Sequence, residues 1–181
     1  LAESSSIEGS NVGGSTFGAE DFQDIKENKC YVSLDYDADI KAFENDKPKE
    51  ASYETSYELP DGELVPLGNE RFRCPEAFFN PSLMGEDFPG VHKLIHDTIQ
   101  AVPQHWNKAE LYQNILLSGG STMFAGLQDR LTQDVKALAN ANVNVKCVAP
   151  AERKFSVWIG GSTLSTLATF GTMWVTKGEY E

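Results

Sequence analysis

Three short stretches of the 181-residue chain carry residue types able to do chemistry. The first is Leu116-Leu117-Ser118-Gly119-Gly120-Ser121-Thr122-Met123, an apolar run that ends in Ser-Gly-Gly. Glycines there let backbone approach a ligand, and a helix opening just afterwards would favour an anion or polar group at its amino end. The second is Glu152-Arg153-Lys154 ahead of Val157-Trp158-Ile159-Gly160-Gly161-Ser162. A double glycine inside a helical pattern costs about 1 kcal/mol per glycine relative to alanine, which points to close packing of another backbone or of a ligand. Lys154 is long enough to reach a base or phosphate. The third is Asp24-Ile25-Lys26-Glu27, where Glu27 has the chemistry to accept hydroxyls and Lys26 to cover a base. On spacing alone, a tight turn, a solvated lysine and a mixed-charge helix face are the better explanations of these stretches.

Other chemistries find less support. The glycine run has neither the lysine nor the glycine spacing of a P-loop or a dinucleotide fingerprint. His92 and His96 stand at i,i+4, but Lys93 follows the first histidine and no third ligand for zinc is suggested. No GxSxG elbow and no convincing Ser/His/Asp or Cys/His grouping occurs. Asp35, Asp37 and Asp39 alternate in a way that fits a charged strand edge resisting strand addition.

The elements that must position these residues follow from periodicity. Residues 3–18 are rich in serine and glycine and read as a mobile loop. A helix is expected over 19–29, with Phe22 and Ile25 on one face, then a strand over 30–34 and a charged surface connection over 35–50. Alternation from Tyr53 to Leu59, the turn Pro60-Asp61-Gly62, and the apolar Leu64, Val65 and Leu67 predict a hairpin. Val91, Leu94, Ile95, Thr98, Ile99 and Val102 follow helical spacing. Strand 114–117, helix 124–138, strand 143–148 and a long helix over 157–170 complete an alternation that predicts an α/β layered arrangement.

Composition bounds the function classes. The chain is 40% hydrophobic and 23% charged, a globular balance. It has no apolar run long enough to span a membrane, and it opens on Leu1-Ala2-Glu3-Ser4 without a basic-then-apolar leader. Cys30, Cys74 and Cys147 are widely spaced and read as three free thiols of a reducing compartment, so a cytosolic or nuclear setting is expected. Net charge is −12, with 14 acids against five Lys/Arg in residues 1–58 and 13 against ten in the remainder. No basic cluster is present to neutralise phosphates, so a direct nucleic-acid partner is not expected.

Jointly the strings are far more specific than any one of them. Tyr57-Glu58-Leu59-Pro60-Asp61-Gly62 and Leu67-Gly68-Asn69-Glu70-Arg71-Phe72-Arg73-Cys74-Pro75-Glu76-Ala77 closely resemble actin. So do Asp24-Ile25-Lys26-Glu27 with Cys30-Tyr31-Val32, the Ser118-Gly119-Gly120 stretch and Glu152 to Ser162, all in the family's order and near its spacing. The resemblance covers nearly the whole chain and implies the carboxy-terminal half of an actin-like, ribonuclease H-like ATPase fold. Residues 1–85 would form most of the smaller inner lobe with hairpin 52–68, residues 86–155 the large inner lobe, and residues 156–181 the returning helices. A sugar kinase or heat-shock ATPase of related fold would not retain the string from Gly68 to Ala77.

The resemblance also implies roles. Lys26 and Glu27 would contact base and ribose, Gly119, Gly120 and Met123 would line the adenine and phosphate side, and Lys154 would cover the base. Phe124 stands where the family has a tyrosine near the adenine, and Gln23 where it usually has arginine; loop 4–18 is longer and unlike the family's. The cofactor would be ATP or ADP with Mg2+ or Ca2+, held in the complete protein. The family's slow ATPase needs groups from the amino-terminal half, so hydrolysis by this segment alone is not expected. Implied partners are that half, further copies in a filament, and actin-binding proteins. Phe88, in the stretch 85–90, would reach toward the opposing strand, while Leu164, Leu167, Thr169 and Met173 would floor a hydrophobic cleft; their periodicity fits core packing equally. A cytoplasmic, cytoskeletal subunit is the leading expectation. The alternative is a non-polymerising actin-related subunit of a chromatin-remodelling or motor-associated complex.

Overall fold

The computed structural model describes residues 11–12, 15–16, 18–45 and 55–181. Most of the expected loop over 3–18, part of the charged stretch, and Tyr53 of the hairpin lie outside the described residues. Within the first stretch, β1 (Asn11–Val12) pairs antiparallel with β2 (Ser15–Thr16).

The first helix, α1 (Ala19–Asn28), opens at Gly18, whose N–H donates to the Asp21 carboxylate at 2.9 Å. Glu20 and Asp21 in its first turn complement the positive end of the helix dipole. No residue of α1 is fully buried among the described residues. The strand expected over 30–34 reduces to a single parallel bridge between Tyr31 and Ala125. Here tertiary bonds take the backbone instead: Tyr31 N–H donates to Arg71 carbonyl at 3.0 Å and Val32 N–H to Ala125 carbonyl at 2.8 Å.

The expected surface connection is in fact a second helix, α2 (Tyr36–Asn45). The aspartates read as a strand edge start it: Asp35 accepts the Ala38 N–H at 3.0 Å, an N-cap bond, and Asp39 accepts the buried Ser33 hydroxyl at 2.6 Å. Acidic side chains at a helix amino end mimic strand alternation in sequence while doing a different task. The hairpin forms as expected, with β3 (Thr55–Glu58) antiparallel to β4 (Leu64–Leu67) and Gly62 at φ 88° in its turn.

An unanticipated helix, α3 (Glu70–Glu76), follows and carries Pro75 inside it. Proline has no N–H to return to the carbonyl four residues earlier. That carbonyl belongs to Arg71, and it is the one that receives Tyr31 N–H. A sequence irregularity thus becomes a tertiary tie.

The remaining layer is the α/β unit. Helix α4 (Val91–Ala101) has the expected spacing and buries Ile99, and a short α5 (Lys108–Gln113) buries Tyr112. Strand β5 (Ile115–Leu116) leads through the glycine turn into α6 (Leu127–Leu138), which returns to β6 (Cys147–Val148), parallel to β5 in the register Ile115 to Cys147. Helix α6 starts three residues later than expected. Gly126 caps it at φ 81°, where an added Cβ would run into the Val32 carbonyl oxygen, so only glycine fits. Leu127, Leu131 and Val135 of α6 pack with Val32, Phe79, Ile99, Tyr112, Leu117 and Val145 in one hydrophobic core. That core draws on residues from both sides of position 85.

The last long helix is shorter than expected. Helix α7 (Ser156–Ser165) stops where Leu167 turns extended, and a 3-10 turn spans Ala168–Met173 before α8 (Lys177–Tyr180). Hydroxyls in this stretch bond back to local carbonyls, Thr163 to Ile159 at 2.9 Å and Thr166 to Thr163 at 2.7 Å, which competes with continued helix. No residue of α7 is buried, and an added Cβ at Gly160 or Gly161 would meet nothing within 4 Å. Among the described residues, none packs closely against the double glycine in the way inferred from sequence.

Candidate functional site

The exposed face of α1 and the glycine turn after β5 form opposite walls of an open cleft of about 400 Å³. Phe22, Gln23, Lys26 and Glu27 line one wall; Gly120, Ser121, Met123 and Phe124 line the other. Lys26 and Glu27 share this wall because α1 buries no side chain, leaving adjacent positions of the last turn free to project outward. Five of the seven residues singled out for a ligand thus meet in one place although almost a hundred positions separate the two walls.

The glycine turn has a specific shape. Gly119 sits at φ 92°, a conformation open to glycine, and a 3-10 turn covers Gly120–Thr122. An added Cβ at Gly120, which lines the cleft, would meet nothing within 4 Å. Gly119 itself does not line the cleft; its N–H donates to the Arg153 carbonyl at 2.8 Å. Sequence reasoning gave Arg153 no role. It is the clasp of the turn, its guanidinium donating to the Thr122 carbonyl at 3.1 and 3.2 Å and to the Pro150 carbonyl at 3.0 Å. The signal was an arginine beside Lys154, and only the backbone geometry shows which carbonyls it serves.

Lys154 stands at the rim. It does not line the cleft, but its ammonium pairs with Glu27 at 3.0 Å across 127 positions, tying the 3-10 turn Arg153–Phe155 to α1. The other Glu27 oxygen accepts the Gln23 amide at 2.9 Å. The Gln23 bond and the Lys154 pair hold the Glu27 carboxyl below its usual range, so it is an acceptor at neutral pH. Gln23, which stands where the resemblance implies arginine, therefore orients Glu27 in place of adding charge. Phe124 is mostly buried, with its ring against Phe78 at 6.1 Å, and offers the cleft an edge without a hydroxyl. Met123 is 39% exposed and supplies an apolar contact surface.

A second, apolar hollow of about 410 Å³ lies on the far side of Lys26 and Phe124, walled by Cys74, Phe78, Met84 and Phe88 among others. Phe88 is exposed at its edge. Leu164, Leu167, Thr169 and Met173 lie apart from both hollows, exposed along the end of α7 and the following turn, so none of them packs in the core of this chain. His92 and His96 serve different neighbours: His92 stacks on Phe79, while His96 Nδ1 bonds the Tyr112 hydroxyl at 2.8 Å. Among the described residues no three His, Cys, Asp or Glu side chains converge as metal ligands, and no helix is long and apolar enough to cross a membrane.

An α/β layer whose glycine turn faces a helix across a cleft is the arrangement of an actin-like ATPase fold. A family model described as Actin matches residues 17–181, and the chain belongs to the actin family. The family binds adenine nucleotides with a divalent cation.

Proposed function

We propose that the cleft between α1 and the glycine turn is one wall of an adenine-nucleotide site in an actin-like subunit. The observation that carries this is the convergence of Lys26, Glu27, Gly120, Met123 and Phe124 on one cleft, with Lys154 tied to Glu27. The donor set suits a nucleoside: Glu27 presents an ionised acceptor for ribose hydroxyls, Met123 and the Phe124 edge offer apolar contact to a base, and Gly120 exposes backbone. Lys26 and Lys154 add positive charge beside it. The phosphates and the divalent cation would be held mainly by groups outside this wall, so hydrolysis is assigned to the complete protein.

The subunit is further read as one that assembles into cytoskeletal filaments with copies of itself. The exposed Phe88, Leu164, Leu167 and Met173 support this by leaving apolar side chains for neighbours. Fluorescence titration of the full-length protein with a fluorescent ATP analogue tests the nucleotide reading. Saturable binding that weakens at least about tenfold in Glu27→Gln is expected, since a hydrogen bond to a charged group is worth about 1.5–3 kcal/mol. An unchanged affinity in that variant would remove Glu27 from the site. Salt- and ATP-dependent pelleting tests assembly: failure to pellet favours the non-polymerising subunit of a larger complex.

A further inference from the structure

Cys30 and Cys74 are 44 positions apart, yet α3 ties their two segments together. The residues flanking Cys30 are both bonded to one residue of that helix. Tyr31 N–H donates to the Arg71 carbonyl at 3.0 Å, and Arg71 Nε donates to the Lys29 carbonyl at 2.9 Å. Cys74 lies one turn beyond Arg71 on the same helix, so this double tie sets Cys30 beside the turn that carries Cys74. Cys74 is exposed and walls the apolar hollow, whereas Cys30 is half-buried behind it. Cys147 lies buried in the core, away from the pair.

The two sulfurs differ in character. The hydrogen bond from Cys30, opposed by partial burial and aided by the Lys26 charge, lowers the Cys74 thiol to about 6. The same bond and burial push Cys30 upward, with Glu70 acting in the same direction and Arg71 against it. An exposed thiolate next to a protonated thiol is the arrangement of an attacking and a resolving cysteine.

We propose that Cys30 and Cys74 form a redox pair that closes to an intrachain disulfide when a hydroperoxide reaches Cys74. The Cys74 thiolate attacks the terminal peroxide oxygen, the O–O bond breaks, and the leaving oxygen takes up a proton as water or alcohol. Cys74 is then a sulfenic acid. The Cys30 sulfur attacks the Cys74 sulfur, the S–O bond breaks, and the released hydroxide leaves as water with the Cys30 proton. Two thiols are oxidised by two electrons and one peroxide is reduced. The closed bond would pin the segment after α1 to α3 and remove the thiolate that Lys26 faces. A thiol reductant reverses it.

The test is peroxide treatment of the folded full chain, alkylation, and tryptic mapping without reduction. Peptides 30–41 and 74–93 should appear joined, at the mass of two hydrogens below their sum, while Cys147 stays alkylated. Joining should slow at least about tenfold in urea, because unfolding dissolves the preset contact. In Cys30→Ser, the sulfenic acid on Cys74 should persist and take up dimedone. In Cys74→Ser, Cys30 should stay unoxidised at the same peroxide dose. Separate alkylation of both peptides in the treated wild-type chain overturns the proposal. So does a link through Cys147, or equal joining in urea.

Discussion

The Arg130 guanidinium holds both oxygens of the Glu76 carboxylate at 3.1 Å across 54 positions of sequence. Glu76 is 3% exposed, and the same guanidinium donates to Asp134 at 2.7 Å and to the Ser33 carbonyl at 2.7 Å while covering the Phe79 ring. This one cation joins α3, α6 and the segment before α2. A buried carboxylate keeps its charge only with such a partner.

Removing the partner should be costly. Arg130→Met is expected to lose about 3–5 kcal/mol at neutral pH, because it strands a buried charge. Burial pushes the Glu76 carboxyl up from its ordinary 4.5, with Arg130 opposing. A carboxyl raised in the folded state favours folding below 4.5, and that contribution is lost as pH rises through the folded value. The Arg130→Met penalty should therefore shrink near pH 4, where Glu76 protonates. Urea unfolding at the two pH values checks this; an equal penalty at both contradicts it.

His92 should make the fold acid-sensitive. Its Nδ1 is buried with no hydrogen-bond partner among the described residues, and burial lowers its pKa below 6.5, with Asp134 opposing and Arg130 and Lys93 reinforcing. A histidine lowered in the folded state stabilises above 6.5, and that stabilisation is lost as pH falls through the folded value. The melting temperature should drop between about pH 7 and about pH 5.5, and His92→Phe, which keeps the stack on Phe79, should narrow the drop.

Two glycines should behave oppositely on substitution. Gly126→Ala meets both a positive φ and the Val32 carbonyl, and a loss of at least about 1–3 kcal/mol is expected. Gly160→Ala meets nothing, and alanine there should gain up to about 1 kcal/mol of helix propensity in the isolated chain. Thermal unfolding of the pair decides; a loss at Gly160 would mean that another surface packs against α7.

The isolated chain should self-associate. Val157 is 81% exposed and Trp158 80%, and Trp174 and Val175 are exposed as well, an apolar surface of a kind that rarely faces water alone. Light scattering should show mass rising with concentration, less so in Trp158→Glu. A concentration-independent monomer would count against it.

Local chemistry made much of this protein legible before any coordinates. The Pro-Asp-Gly hairpin, the spacing of α4, and the strand–glycine–helix order around residues 115–127 all follow from dihedral preference and hydrophobic period, which act between near neighbours. The residues Lys26, Glu27, Gly120, Met123 and Phe124 were nameable because their strings resemble a family, not because spacing joined them. Other features had no local signal. Asp35 and Asp39 as helix starters, Arg153 as the clasp of the glycine turn, and Arg130 on Glu76 depend on which carbonyls and carboxylates the folded chain brings within 3 Å or so. The strand expected at Cys30 shrank to one bridge, with Tyr31 N–H given to the Arg71 carbonyl, to which Pro75 has no N–H to donate. Sequence by itself determined where helices and turns want to form and which family they serve. Tertiary structure decided the partners, because hydrogen bonds and ion pairs are set by distance in space, which sequence separation does not encode.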